Sequence, residues 1–195
     1  MSTDPYAAPS ADLGANDATI PTSIWSAKGR LGILSYLAHN LVLILVFMII
    51  AAAIIMIIGM VFGGGDIETM FSMGGEGPGG IALVLTMIPL YIALIWTSIC
   101  LIIKRLHDRN HTGWWSLIFL IPLINLLLFL YICLFPGNKH SNRFGAPRPT
   151  KGWEKVVGII GFILTVGSIV ATVGVFGAAM FGMGGGGLES MMQGG

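Results

Sequence analysis

The chain has 195 residues, of which 55% are hydrophobic and only 10% are charged. Because soluble domains carry about 25% charged residues, this composition argues against a water-soluble protein. The formal net charge of +1 identifies no class of partner, and basic loops without a folded aqueous domain do not indicate nucleic-acid binding.

The N-terminal segment, residues 1–24, is polar, contains three prolines and has too few apolar side chains to fold alone. We expect it to be a disordered tail. The first apolar run, residues 36–62, is too long and begins too late to be the apolar part of a secretory signal peptide.

Four apolar runs follow one another along the chain, and none contains Lys, Arg, Asp or Glu: residues 36–62, 81–103, 114–135 and 156–181. At about 1.5 Å per residue, helices of these lengths reach across or nearly across a hydrocarbon core of about 30 Å. Unpaired backbone groups are costly in lipid, so such runs should be helical. The sequence predicts an all-α, polytopic membrane protein with a Gly/Met-rich tail at residues 182–195. Cys100 and Cys133 lie inside apolar runs, and we expect free thiols there.

The ten Lys and Arg residues fall before the first run, between the second and third, and between the third and fourth. If every run crosses the bilayer, five bases lie on each side and the positive-inside rule gives no orientation. If the third run enters and leaves by one face, all ten bases share that face. Charge bias therefore favours a re-entrant hairpin, whereas segment length favours a span.

The third run contains a place to turn, at Pro122 and Asn125. Proline removes a backbone donor, and Asn can satisfy backbone groups that a break sets free. A kinked full span is the alternative, because proline is tolerated in membrane helices whose neighbours satisfy the backbone. We favour the hairpin.

A motif between the second and third runs reads Arg105-Leu106-His107-Asp108, then Gly113-Trp114-Trp115. It resembles the signature of the bacterial membrane family called domain of unknown function 805.

Two flanking pieces of sequence resemble other parts of that family. Lys28-Gly29-Arg30-Leu31 is similar to its opening motif, and a closing motif comprises Pro136, Gly137, Asn142, Arg143, Phe144 and Gly145. The resemblance covers residues 29–149 and implies a family-like membrane domain at residues 25–155, with residues 156–181 as an additional transmembrane helix. It also implies a bacterial inner-membrane location, without an established activity. Residues 32–36 depart from the charged and aromatic pattern that often follows the opening motif.

The residue types of the central motif are suited to a charged corner at the end of a helix. Asp108 lies three positions after Arg105 and can pair with it, Gly113 can supply an unusual backbone angle, and the two tryptophans can anchor the next segment at headgroup level. His107 and His111 have a spacing found in metal sites, but further ligands are missing, so we predict no metal and no cofactor.

A third interpretation of the basic residues is recognition of anionic lipid headgroups. The candidate lipid-facing bases are Lys104, Arg109, Lys139, Arg148, Lys151 and Lys155. The glycines of the fourth run, including Gly158 and Gly161, permit close helix packing within the protomer or across a homo-oligomer.

The sequence therefore predicts a non-enzymatic inner-membrane protein with its basic loops in the cytoplasm. Its role would be structural, interacting with a membrane-protein partner, or lipid-organising at the cytoplasmic face. The competing class is an oligomeric channel or permease for a small solute or ion. No charged residue lies inside an apolar run, which argues against a proton-coupled transporter.

Overall fold

The computed structural model describes residues 23–62 and 77–193, except for the side chains of residues 122–123 and 180–193. The elements are α1 (Ile33–Phe62), α2 (Pro78–Asp108), a 3₁₀ helix (Gly113–Leu120), α3 (Pro122–Leu134) and α4 (Gly152–Gln193). Within these residues the only β-type pairing is an isolated bridge, so the predicted all-α class is confirmed. Most of the predicted disordered tail lies outside the described residues.

Three helical segments are long and apolar enough to cross a membrane: Ile33–Phe62, Pro78–Asp108 and Gly152–Ala179. Large apolar side chains project from them, with Ile49 69% exposed, Leu85 66% and Val170 66%. Exposed apolar surface of this extent in water would be an association hazard, whereas lipid tails solvate it. The third apolar run supplies only a shorter apolar helix, Ile124–Leu134.

The end of α2 is a Schellman motif, in which the last carbonyls accept bonds from the following turn. The His111 amide donates to the Leu106 carbonyl and the Asn110 amide to the His107 carbonyl, both at 3.0 Å. Asn110 takes the left-handed conformation, with φ of 62°. Our assignment of the unusual backbone angle to Gly113 was therefore wrong. Gly113 instead lies so close to Ile103 that a Cβ would come within 3.1 Å of that side chain.

The third apolar run folds back on itself. A 3₁₀ helix and α3 meet at Ile121, whose backbone is extended, and the Asn125 amide side chain donates to the Phe119 carbonyl at 3.2 Å. The two ends of the run lie together, because His111 Nε2 is 2.7 Å from the Tyr131 hydroxyl. The predicted break is present, and the run starts and finishes at the same end of the bundle.

The fourth helix packs in parallel along α1, through glycines in its first turns. A Cβ on Gly158 would overlap the Leu34 carbonyl, and one on Gly161 would lie 3.1 Å from the Leu37 carbonyl. This close approach is within the protomer. The helix also continues to Gln193, beyond the predicted end at Phe181.

Candidate functional site

The start of α1, the end of α2 and the start of α4 meet at one end of the bundle, which we call the basic end. The Leu31 amide donates to the Lys104 carbonyl at 3.2 Å, and the Ser35 hydroxyl donates to the Glu154 carboxylate at 2.8 Å. The 17-residue loop that links α3 to α4, residues 135–151, lies over this junction. The three sequence blocks that carry the family resemblance are thereby brought together.

At the centre of the basic end is a charged cluster of Arg30, Arg105 and Asp108. Asp108 Oδ1 lies 3.2 Å from Arg30 and Oδ2 lies 2.5 Å from Arg105, and the two arginine side chains are fully buried. Buried charges of this kind require both a counter-charge and hydrogen bonds for their remaining polar atoms. One carboxylate thus holds the end of α2 against the chain that enters α1.

The remaining donors of the two arginines are directed to backbone carbonyls of the linking segment. Arg105 donates to Ile132 at 2.7 Å and to Phe135 at 2.5 Å, which fixes the end of α3. Arg30 donates to the carbonyls of Asn138, His140 and Gly145 at 2.6, 3.0 and 2.9 Å. The cluster consequently fixes the path of the loop as well as the helices.

The predicted closing motif forms a tight turn against the end of α2. Asn142 and Gly145 exchange backbone hydrogen bonds of 3.2 and 2.9 Å, with Gly145 at a φ of 101° that favours glycine. The Asn142 side chain donates to the His107 carbonyl at 2.9 Å, and the Phe144 ring stacks on His107 with centroids 3.8 Å apart. Arg143 donates to the Asn110 carbonyl at 2.8 Å. The stacking on His107 thus accounts for an aromatic side chain at residue 144.

Gly137 of the closing motif lies against the cluster. A Cβ at this position would overlap the Asp108 carboxylate, and the following amide, that of Asn138, donates to the Asp108 carbonyl at 2.8 Å. A side chain at residue 137 would therefore displace the carboxylate or the loop. Pro136, just before it, has its carbonyl 3.3 Å from Arg109.

A second buried carboxylate, Glu154, joins α4 to α1. Besides Ser35, it accepts from Arg148 at 2.5 Å and from the Lys151 amide at 3.0 Å, and His39 Nε2 lies 3.9 Å away. The bond to the Lys151 amide is half of a capping box, which satisfies a free donor at the start of a helix. This cluster is separate from the first and locks the fourth helix in place.

The basic residues at this end differ in their exposure. Lys28, Lys139, Arg143, Lys151 and Lys155 are exposed, whereas Arg109 and Arg148 are half-buried. Lys104 is buried, with its ammonium donating to the Ser23 carbonyl, so its prediction as a lipid-facing base was wrong. The helix turns Lys104 inward against the segment that precedes α1.

The two histidines of the central motif have different partners. His107 contacts the Gly29 carbonyl at 3.3 Å and the ring of Phe144, while His111 contacts Tyr131. Across residues 23–62 and 77–179, no group of three or more His, Cys, Asp or Glu side chains could hold a metal. The two cysteines are buried free thiols.

Trp114 and Trp115, which follow Gly113 at the start of the 3₁₀ helix, are 78% and 44% exposed. Their anchoring role at headgroup level stays a prediction. Leu106, the remaining member of the motif, is fully buried in the apolar core with Leu31 and Ile132.

Sequence reasoning found Asp108 and Arg105 but did not select Arg30 or Glu154 as site residues. A signal existed for both. Arg30 belongs to the opening motif, and Glu154 is the one acid in a basic stretch that otherwise contains only Lys and Arg as charged residues between Lys139 and Lys155. An isolated acid among bases at the start of an apolar helix indicates a paired carboxylate.

The apolar helices and the buried charged end define a polytopic α-helical membrane protein. A family model described as "Protein of unknown function (DUF805)" matches residues 24–146, more than half of the chain. The chain belongs to this family. The matched region contains the charged cluster and the closing motif but ends before α4.

Two inner membrane proteins of Escherichia coli (strain K12) are similar to parts of the chain. YhaH is 33% identical over 73 residues, which are 37% of this chain and 59% of YhaH. YhaI is 37% identical over 54 residues, which are 28% of this chain and 46% of YhaI. The chain thus spans about half the length of these relatives. No solved structure matches it.

Proposed function

We propose that this chain is a bacterial inner-membrane protein that organises anionic lipid at the cytoplasmic membrane face, without a catalytic step. The observation that carries the proposal is an imbalance of exposed charge. Both acids in the described part of the basic end, Asp108 and Glu154, are buried and paired with arginines, while five bases remain exposed. The surface there is cationic and lacks an internal counter-charge among the described residues.

Two arguments support a cytoplasmic location for this surface. Lys and Arg in short loops are retained on the cytoplasmic side, and the hairpin geometry of the third run brings all ten bases to one end. Each base near an anionic leaflet contributes about 1 kcal/mol of attraction. The names of the two E. coli relatives, which are inner membrane proteins, support an inner-membrane location.

The test compares a charge-removing variant with a charge-preserving one. Lys139, Lys151 and Lys155 are all exposed, so replacing them by Gln should leave the fold intact. In nanodiscs of equal phosphatidylglycerol and phosphatidylcholine, we expect the Gln variant to carry fewer phosphatidylglycerol molecules than wild type by native mass spectrometry. The matched variant with Arg at the same three positions should carry as many as wild type. Equal lipid retention by all three proteins would refute the proposal.

A channel or permease is the competing function. Proteoliposomes containing the wild-type chain should show no movement of potassium or glycerol above that of empty vesicles. Reproducible flux of either solute would replace the lipid-organising role by transport. A homo-oligomer or a membrane-protein partner is compatible with the proposed role, and cross-linking in native membranes reports it.

A further inference from the structure

The hairpin of the third run encloses a cleft between its two arms, the 3₁₀ helix and α3. The cleft has a volume of about 300 Å³, at the lower end of the range for small-ligand sites, roughly 300–1,000 Å³. It is lined by His111, Trp115, Ile118, Ile124, Leu127, Leu128 and Tyr131. Its lining is largely apolar, and His111 Nε2 meets the Tyr131 hydroxyl at a distance of 2.7 Å, at a point that we call the mouth of the cleft.

A cation lies beside that polar mouth. The Arg109 guanidinium carbon is 3.8 Å from the centroid of the Tyr131 ring, and its Nη1 donates to the Pro136 carbonyl. Arg109 Nε is buried without a hydrogen-bond partner among the described residues. The hydrogen bond from Nη1 to Pro136 lies at an exposed position, so a ligand can reach the outer nitrogens of this guanidinium with further acceptors.

The local field at the mouth is positive. Burial lowers the pKa of His111, and the nearby Arg109 and Arg143 lower it further. Asp108, the acid next to Arg109 in the sequence, is already shared between Arg30 and Arg105. An anionic group at the mouth would therefore meet an unmatched cation, next to a cleft that accepts only apolar atoms.

We propose that the hairpin cleft binds one acyl chain of an anionic phospholipid, with the lipid phosphate at Arg109 and His111. The phosphate supplies acceptors for the guanidinium and the imidazole, and the chain fills the apolar space between the two arms. This site deepens the proposed lipid-organising role and rests on it. It differs from the exposed lysines in holding a single lipid by shape as well as charge.

Two variants of α3 separate filling of the cleft from a general change in the helix. Leu127 lines the cleft and is 66% exposed, whereas its neighbour Leu126 is 47% exposed and does not line it. Leu127→Trp should fill the space, so we expect at least a tenfold loss of the tightly held phosphatidylglycerol in native mass spectrometry. Leu126→Trp should retain it. Equal retention by the two variants would overturn the proposal.

A second pair of variants tests the charge at the mouth. Arg109→Gln should lose the same tightly held lipid, while Lys139→Gln, which removes an exposed base outside the cleft, should keep it. Loss of lipid in the Gln variant of the three exposed lysines, combined with unchanged lipid in Leu127→Trp, would leave the general role standing and remove the cleft site. If the lysine variant retains its lipid and Leu127→Trp loses it, the cleft site would stand and the general role of the exposed lysines would be removed.

The wild-type chain provides a readout that requires no variant to fold. We expect the pKa of His111, followed by NMR, to rise when phosphatidylglycerol is added and to stay unchanged with phosphatidylcholine or with inorganic phosphate alone. A rise with inorganic phosphate would show that the acyl chain is not needed and would contradict the proposal.

A Leu127→Cys variant that forms disulfide-linked dimers in native membranes would show that a second copy occupies the cleft, which also contradicts the proposal.

Discussion

At the scale of single residues, the few buried charges of this protein hold its helix ends together. Arg30, Arg105 and Asp108 form one cluster of paired charges, and Glu154 with Arg148 forms another. Removing one partner from such a cluster is far more costly than replacing all of them, because the remaining charge stays buried without compensation. The two arginines around Asp108 make it the most sensitive position of the set.

Replacing Asp108 by Asn should therefore destabilise the protein strongly. The amide keeps the size of the side chain but leaves two buried guanidinium groups without a counter-charge, which costs about 3–5 kcal/mol. Thermal unfolding in detergent measures the effect. Lys139→Gln, at an exposed position of the same end, serves as the control and should unfold near the wild-type temperature. Similar unfolding temperatures for the two variants would mean that the cluster is not structural.

Gly137→Ala should destabilise the protein for a steric reason. The added Cβ would overlap the Asp108 carboxylate, and forcing atoms into a filled site commonly costs about 1–3 kcal/mol. Gly152→Ala is the matched control, since a Cβ there meets nothing within 4 Å. Unfolding in detergent should separate the two variants clearly. An equally small effect of both would show that the loop moves freely away from Asp108.

The sequence predicts the local half of this arrangement and not the distant half. The pairing of Arg105 with Asp108 follows from their spacing of three residues on a helix. Arg30 lies 78 positions from Asp108, and Ser35 lies 119 positions from Glu154, so no periodicity connects them. Such contacts depend on how three helix ends meet. The apolar runs predict the class of fold, but they do not predict how those ends are arranged.

At the scale of elements, the helices were predictable because lipid imposes helical structure on long uncharged runs. The break in the third run was also predictable, from Pro122 and Asn125. The backbone turn at the end of α2 was not, because both Asn110 and Gly113 can adopt unusual conformations and only packing against Ile103 distinguishes their roles. Similarly, the inward direction of Lys104 depends on the segment around Ser23 that covers it.

The close packing of α4 against α1, which we call the seam, leads to a prediction about helix packing. Gly158→Ala should push α4 away from α1, because its Cβ would overlap the Leu34 carbonyl, and stability should fall. In contrast, Gly167→Ala adds a Cβ that meets nothing within 4 Å, so only the better helix propensity of Ala remains, worth up to about 1 kcal/mol. Unfolding temperatures that move in opposite directions would support the seam. A stabilising Gly158→Ala would contradict it.

At the scale of the whole molecule, the charged clusters and the hairpin have the same consequence. Asp108 joins the end of α2 to the entrance of α1, and Glu154 joins α1 to the start of α4, so three helix ends share one face. In the topology we propose, the third run enters the bilayer and returns to that face. The chain would then cross the membrane three times, with its two ends on opposite sides.

Labelling of single cysteines by a membrane-impermeant maleimide tests this topology. Cys100 and Cys133 are buried, so the wild-type chain should give a low background. Lys28→Cys and Lys151→Cys should react only from the cytoplasmic side, and Gly194→Cys only from the opposite side. If Lys151→Cys reacts from outside while Lys28→Cys reacts from inside, the third run crosses the bilayer. The ten bases would then be divided between the two faces, and the electrostatic basis of the proposed lipid-organising role would be lost.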